Sequence, residues 1–213
     1  PNLGPAVAVG NSGHYDPYGF LASTLGGVTV TFDGVPAPLF FVYGGQINLQ
    51  VPFEVAGKTS TKMVVSYLGS PSTTIQVPVV AVQPAFFTAD SSGKGEVSAA
   101  NFPDYSINSA QNPIAAGGIV EIYGTGVGKV SYSVVTGQGA PAFPSGFTGN
   151  YTYTVGNSAP ANALFGGWTP GFVGLAQWDL QIPAGTPSGP VSIKVTDTAT
   201  GASSQAGTTI YVK

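Results

Sequence analysis

The chain of 213 residues has no cysteine and no arginine, and charged residues make up only 7% of it. Without cysteine there is neither a disulfide framework nor a thiolate metal site. With lysine as the sole strongly basic residue, a basic groove for nucleic acid and a bidentate clamp for phosphate are not expected. No apolar run reaches the length of a membrane-spanning helix. We therefore expect neither nucleic-acid binding nor membrane insertion.

What the sequence has in excess is glycine, with 31 residues, and proline, with 18. Hydrophobic residues still make up 43% of the chain and aromatic residues 11%, enough for a packed core. Long segments with helical periodicity are missing, so this composition favours short strands joined by tight turns. We expect a soluble all-β protein. Its weakly charged polar surface is typical of a protein that works outside the cell or on its surface.

One short motif occurs twice, as QINLQVP at residues 46–52 and as QWDLQIP at residues 177–183. In both copies the apolar residues fall on alternate positions and a proline follows, which indicates a half-buried strand. The copies lie too far apart for a solenoid repeat, but their separation suits two related small domains. Each copy is therefore predicted to be a strand with one face exposed to solvent.

Other strand patterns recur around the two copies in the same order. We therefore predict two tandem immunoglobulin-like β-sandwich domains, spanning residues 1–83 and 84–213, with the linker near Gln83 and Pro84. The predicted strands of the first domain are VTVTF (28–32), APLFFV (37–42), the motif itself, MVVSY (63–67) and TTIQVPVV (73–80). Those of the second are GIVEIYG (118–124), YTYTV (151–155), the motif, VSIKV (191–195) and TTIYV (208–212).

The two copies differ in what precedes them. The second has a long prelude ending in GIVEIYG, whereas the first has only a short apolar segment, PAVAVG, at residues 5–10. If PAVAVG is the counterpart of GIVEIYG, the sheet edge beside it is uncovered, and an uncovered edge is a template for pairing with another chain. We predict that this segment is a donor strand for a neighbouring subunit. Its residues are Pro5, Ala6, Val7, Ala8 and Val9.

Three longer motifs together resemble a known family. They are GVTVTFDGVPAPLFFVYGGQINLQVPFEVAG, then PAFFTADSSGKGEVSAANFPDYSINSAQNPIAAGGIVEIYGTGVG, then PGFVGLAQWDLQIP. In combination they resemble the Solibacter-type C-terminal domain of large secreted acidobacterial proteins, over roughly residues 25–213. The resemblance implies a β-sandwich in a secreted or surface-exposed protein, and it implies no catalytic residue.

Candidate catalytic and metal-binding residues are few. The string GNSGH (10–14) places Ser12 near His14, but a catalytic triad needs a separately positioned base and an orienting carboxylate. In DSSGKGE (90–96), Asp90, Ser92 and Glu96 are too few hard ligands for calcium, and Lys94 opposes a cation. The other acidic residues are scattered, without a pair at a spacing that suggests acid–base work. We expect no enzyme activity, no cofactor and no metal.

The aromatic residues near the repeated strands allow two interpretations. Rings such as those of Tyr43, Phe165 and Trp168 either fill the cores and interfaces or stack on sugars, and the first is favoured because aromatic side chains dominate buried area. Trp168 in the loop GGWTPG is the best candidate for an accessible ring.

From these patterns we expect a non-enzymatic, secreted or cell-surface structural or adhesive protein. Its partners are other copies of itself, associated into an extracellular filament by strand addition. The alternative is a carbohydrate-binding or spacer module of a larger surface protein, with a surface polysaccharide as the partner.

Overall fold

The computed structural model describes residues 3–11, 15–142, 145–157 and 160–213. The chain is an all-β protein of the sandwich type, as its sequence predicts. It divides into two compact units. Unit 1 comprises Pro1–Ala81 together with Ser133–Ala142 and Pro170–Gly174, and unit 2 comprises Val82–Tyr132, Phe143–Thr169 and Leu175–Lys213. The assignment of two contiguous tandem domains, 1–83 and 84–213, stays a prediction; unit 1 takes in two short segments from later in the chain.

Among its described residues, unit 1 contains two antiparallel sheets and one short 3₁₀ turn, Phe53–Val55. Its strands are β1 (Val9–Gly10), β2 (Thr24–Leu25), β3 (Val28–Phe32), β4 (Val35–Pro36), β5 (Leu39–Tyr43), β6 (Gln46–Leu49), β7 (Ser60–Tyr67), β8 (Ser70–Pro71) and β9 (Ile75–Pro78). The smaller sheet has the order β1-β5-β6. In the larger one the order is β2-β3-β7-β8, with β4 also on β3 and β9 also on β7.

The core of unit 1 follows from the period-two pattern of its strands. In β3 the side chains of Val28, Val30 and Phe32 are buried while the threonines between them are less so. These three residues pack in one apolar cluster with Leu39 and Val42 of β5. Because β3 and β5 belong to different sheets, the cluster lies between the two sheets, as in a sandwich.

The turn predicted at Asp33-Gly34 is confirmed. Both residues have positive φ, 50° and 86°, which is the backbone of a two-residue hairpin turn of type I′. The Asp33 carboxylate accepts hydrogen bonds from the side chains of Lys58 and Thr61 and from the Lys62 N–H. The hydrogen bond from Lys58 is the largest cause that lowers the pKa of Asp33, to about 2.

The described part of unit 2 also contains two sheets. Its strands are β10 (Ala85–Phe86), β11 (Gly95–Glu96), β12 (Ala99–Asn101), β13 (Ser106–Ile107), β14 (Ile119–Thr125), β15 (Ser145–Gly146), β16 (Tyr151–Val155), β17 (Asn162–Trp168), β18 (Ala176–Gln181), β19 (Gly189–Asp197) and β20 (Thr208–Val212). The larger sheet has the order β13-β12-β14-β18-β17-β15, with β10 also on β14. The smaller sheet has the order β11-β20-β19-β16.

Trp178 of β18 is fully buried in unit 2. Phe86 meets its ring edge-on, with ring centroids 5.3 Å apart, and the Phe147 ring lies 5.8 Å away. Alternate residues of β19 are buried as well, namely Val191, Ile193 and Val195, which is the pattern of a strand with one face on a core. Large apolar side chains therefore hold this unit together without any disulfide.

The predicted strands lie where the alternation of apolar residues places them. VTVTF, YTYTV and TTIYV form β3, β16 and β20 with the predicted bounds. Both copies of the repeated motif form strands, β6 and β18. In the part of the chain that the structure describes, no helix has the length and hydropathy needed to cross a membrane.

Candidate functional site

The two copies of the repeated motif begin with the same local structure. In β6 the amide of Gln46 donates to Asn48 Oδ1 at 2.8 Å, and in β18 the amide of Gln177 donates to Asp179 Oδ1 at 2.8 Å. In each copy the donor and the acceptor are two residues apart, so they lie on the same face of the strand. Sequence similarity therefore corresponds to structural similarity over residues 46–49 and 177–180. At the next position the copies differ, since Gln50 is buried beyond the end of β6 and Gln181 is exposed within β18.

The copies differ in the strands beside them. β18 lies between β17 and β14, so it has a partner strand on each side. β6 pairs with β5 on one side and is the last strand of its sheet. Within the described residues, no strand pairs with the other side of β6. This second side of β6, which we call the β6 edge (Gln46–Leu49), is the place that β14 takes beside β18.

The apolar residues of the motif are less buried in β6, which lacks a second partner strand among the described residues, than in β18. Trp178, Leu180 and Ile182 all have 0% exposure. At the matching positions Ile47 and Leu49 are only half-buried, and Val51 is 47% exposed. Ile47 and Leu49 pack at the margin of the unit 1 core, so their remaining surface is apolar and accessible. Apolar surface of this kind along an unpaired strand is a recognised site of strand addition.

The residues beyond this strand hold a segment from later in the chain. Gln50 is buried, and its Oε1 accepts a hydrogen bond from the Gly137 N–H at 2.7 Å. The Leu21 N–H donates in turn to the Gly137 carbonyl at 2.8 Å. The end of the first repeated motif is therefore fixed by a polar contact, while its β6 edge remains free of a strand partner within the described residues.

The predicted donor segment lies partly inside its own unit. Val9 belongs to β1 and is paired with Val42 of β5. Pro5, Ala6, Val7 and Ala8 precede that strand, and Val7 is 77% exposed. β1 lies on β5, whereas GIVEIYG forms β14 on β18, so the two segments take different places in their sheets. In unit 2 the strand at the place of β1 is β15, which pairs with β17.

The aromatic residues predicted for sugar binding differ in accessibility. Trp168 ends β17 and is only 7% exposed, which agrees with the favoured interpretation of a buried ring, whereas its expected place in a loop is wrong. The strand runs on through Gly166 and Gly167 to Trp168, so the tryptophan is part of a sheet and not of a free loop. Phe165 is half-buried, and Tyr43 is exposed beside the β6 edge.

A different pair of rings, which no sequence pattern indicated, is accessible. Phe102 and Tyr105 follow β12 and are 44% and 58% exposed. Their ring centroids lie 5.8 Å apart, with the planes nearly perpendicular. Between them, Asp104 accepts hydrogen bonds from the backbone and side chain of Ser106, and these lower the pKa of its carboxyl group. The only sequence signal was two aromatic residues in NFPDY.

Buried asparagines fix the segment that carries this pair of rings. Asn108 is almost fully buried and donates to Asn101 Oδ1 and to the Tyr211 carbonyl, both at 2.9 Å. Its Oδ1 accepts the Tyr211 N–H at 2.8 Å. Asn101 donates to the Asn112 carbonyl at 2.9 Å. A satisfied buried network of this kind gives the segment after β12 a defined conformation.

Two carboxylates meet on the larger sheet of unit 2. Glu121 of β14 is directly opposite Asp179 of β18, and Glu121 is buried. Burial is the main cause that raises the pKa of both, and the charge of Asp179 adds to the rise at Glu121. Tyr123 donates to Glu121 Oε2 at 3.0 Å. Sequence spacing did not indicate this pair, because the two residues are far apart in the chain and only the strand register brings them together.

The remaining candidate residues provide no site. Ser12 and His14 lie outside the described residues. Asp90 Oδ1 accepts the Ser92 N–H at 3.0 Å, so the start of the segment 90–96 is a turn closed by its own side chain. Across the described ranges, no group of three or more histidine or acidic side chains is placed to hold a metal ion.

Comparison with known proteins adds no relative. No model of a protein family matches the chain, and no curated protein matches it. The similarity to the Solibacter-type C-terminal domain thus stays a prediction from the quoted motifs.

Proposed function

We propose that this chain is a non-enzymatic structural or adhesive protein, secreted or held at the cell surface, whose copies associate by strand addition into a filament. The observation that carries the proposal is the β6 edge of unit 1, which has no strand partner among the described residues. Natural proteins usually shield such an edge with charge, a bulge or a covering segment, because it pairs readily with other chains.

Side chains at the β6 edge do not discourage pairing. Gln46 and Asn48 are neutral, and Ile47 and Leu49 are apolar. Lysine, the usual protection of an exposed edge, is not found in β6. A strand with these side chains accepts a neighbour without opposing charge.

The composition of the whole chain also favours association. Charged residues amount to 7% of the sequence, and the net charge is −3 at pH 7. Copies with so few charges repel each other weakly. When the donor and acceptor surfaces are different patches of the same chain, the contact is heterologous, and it gives an open filament where the rotation between successive copies does not close a ring. Location outside the cell is supported by the family resemblance and by this weakly charged composition.

Carbohydrate binding is the second candidate, and one observation favours it. Phe102 and Tyr105 present two accessible rings beside the Asp104 carboxylate on a segment held by buried asparagines. Accessible rings next to a hydrogen-bond acceptor are what a sugar-binding surface requires. A glycan array tests this function. Binding would favour it over self-association if Phe102→Ala abolishes the binding and Phe86→Leu, a control at a buried site, retains it.

Sedimentation velocity tests self-association. The full chain is compared with a variant that lacks residues 1–8, which leaves β1 on β5 in place. We expect concentration-dependent, larger species for the full chain and monomers for the variant. Equal association of both proteins would contradict donation by the N-terminal segment.

A further inference from the structure

We infer that the acceptor for association is the β6 edge, and that it takes residues 6–10 of a second copy as an antiparallel strand. This strand would lie in the register that β14 has on β18. The inference rests on the proposed function and names both partners in it. Its basis is that the chain contains the completed version of the same site, in unit 2.

The completed version defines the register. β14 runs antiparallel to β18, with Val120 opposite Leu180 and Ile122 opposite Trp178. All four of these residues have 0% exposure. Glu121, between the two apolar residues of β14, lies opposite Asp179 on the other face. A strand that pairs in this way with a strand like β18 therefore places two apolar residues, two positions apart, on the side of the core.

Transferring this register to β6 uses only the repeated motif. Leu49 takes the place of Leu180, Ile47 that of Trp178, and Asn48 that of Asp179. The accepted strand must then present apolar side chains to Leu49 and Ile47, and a residue between them to Asn48. β6 has the neutral Asn48 at the position where β18 has Asp179. The residue of the incoming strand that lies opposite Asn48 therefore meets no charge and needs none.

Residues 6–10 have this pattern. Val7 and Val9 are two positions apart, with Ala8 between them, as Val120 and Ile122 flank Glu121. In the inferred register Val7 faces Leu49 and Val9 faces Ile47. Val7 is 77% exposed in its own chain, so it loses little packing when it is donated. Both partners leave water together, which is the driving force expected for apolar strand addition.

Donation requires β1 to leave its own sheet, and with it the packing of Val9 against the unit 1 core. Val9 leaves β5, where β1 is a strand of only two residues, Val9–Gly10. A strand so short contributes few ladder hydrogen bonds, so it opens more readily than the longer strands. The bond from the Asn11 N–H to the Phe40 carbonyl, at 2.7 Å, anchors the chain after the donated segment.

Cross-linking between two single-cysteine variants tests the register, because the natural chain has no cysteine. Val7→Cys protein carrying a mass tag is mixed with untagged Leu49→Cys protein and oxidised. Facing residues on paired strands lie within the Cα separation that a disulfide needs. The matched control replaces the acceptor by Ile75→Cys, an exposed residue of β9 in the other sheet of the unit. Equal thermal melting of the variants and wild type verifies folding.

We expect at least about tenfold more tagged heterodimer with Leu49→Cys than with Ile75→Cys, because pairing raises the local thiol concentration. Similar yields from the two acceptors would overturn the inferred register. If wild-type protein associates in sedimentation while this difference is missing, the proposed function stands and the inference fails.

In the remaining case the wild type stays monomeric and the proposed function fails. A peptide then tests whether the β6 edge is an acceptor at all. A labelled peptide of sequence GIVEIYG, copied from residues 118–124, is titrated against the protein, with a scrambled peptide as control. Binding that Leu49→Lys abolishes and Ile75→Lys retains would support the β6 edge as acceptor but overturn a second copy as its occupant. No specific binding would overturn the inference altogether.

Discussion

At the scale of single residues, the most informative contact is the pair Glu121 and Asp179. Like charges directly opposite each other on paired strands are destabilising. Burial and the charge of Asp179 raise the pKa of Glu121 above the ordinary value of 4.5. The folded state therefore binds a proton at Glu121 more readily than the unfolded chain does, and stability depends on pH.

The sign of that dependence follows from the raised pKa. Stability contributed by Glu121 is fully present below its unfolded pKa of 4.5 and is lost as the pH rises through the folded pKa. Asp33 acts in the opposite sense, because its pKa is lowered to about 2. Its contribution is present above the unfolded value of 3.8 and is lost as the pH falls toward 2.

Replacing Glu121→Gln should raise the free energy of unfolding at pH 7 by roughly 0.2–1 kcal/mol, because it removes one of two opposed charges. The glutamine oxygen still accepts the hydrogen bond from Tyr123. Denaturant unfolding of unit 2 at pH 7 and at pH 4 measures the effect. The gain should shrink at pH 4, where the wild-type carboxyl is protonated; a gain that is equal at both pH values would contradict the assignment.

At the scale of elements, the contrast between β6 and β18 explains why nearly identical sequences have different surroundings. β18 is covered by β14 on the side where the β6 edge is open. Leu180 is fully buried as a result, whereas Leu49 keeps accessible surface. The stability contributed by a leucine in the repeated motif should therefore depend on the copy in which it lies.

Leu180→Ala should lower the free energy of unfolding by roughly 2–5 kcal/mol, since it leaves a cavity in a packed core. Leu49→Ala in dilute monomeric protein should lower it by less than half as much, because its site is already partly solvated. Chemical denaturation with a probe in each unit measures both values. Equal losses would mean that another part of the molecule covers the β6 edge.

The strands could be predicted from the sequence because each has a local signature. Alternating apolar residues gave β3 and β16, and Asp33-Gly34 gave the hairpin turn. Which strand lies beside which could not be predicted, because pairing joins residues far apart in the chain. The place of β1 on β5 and the pairing of Glu121 with Asp179 are both results of that register.

Which aromatic side chains are accessible could not be predicted from the sequence either. Trp168 was expected in a loop because glycines precede it and a proline follows two residues later, but the strand extends through the glycines and buries the ring. Phe102 and Tyr105 had no periodic pattern, and their exposure follows from the buried asparagines that fix the segment. Side-chain accessibility of this kind depends on tertiary packing and not on local composition.

At the scale of the whole molecule, the same chain contains two versions of one strand arrangement. In unit 2 the repeated strand has a partner on both sides, and in unit 1 it has a partner on one side among the described residues. Few charges oppose contact between copies, so association should depend on apolar burial and backbone pairing. Such association should not weaken when salt screens charges. In the proposed association the donor and the acceptor are different patches, so the polymer would stay open where successive rotations do not close a ring.

Electron microscopy of the purified chain, at low and at high salt, tests this central claim most directly. We predict filaments with a regular axial repeat at both salt concentrations, and their loss in Val7→Asp protein but not in Ala8→Asp protein, whose substitution lies on the polar face of the donated strand. Isolated particles of uniform size from the wild-type chain under both conditions would contradict the account.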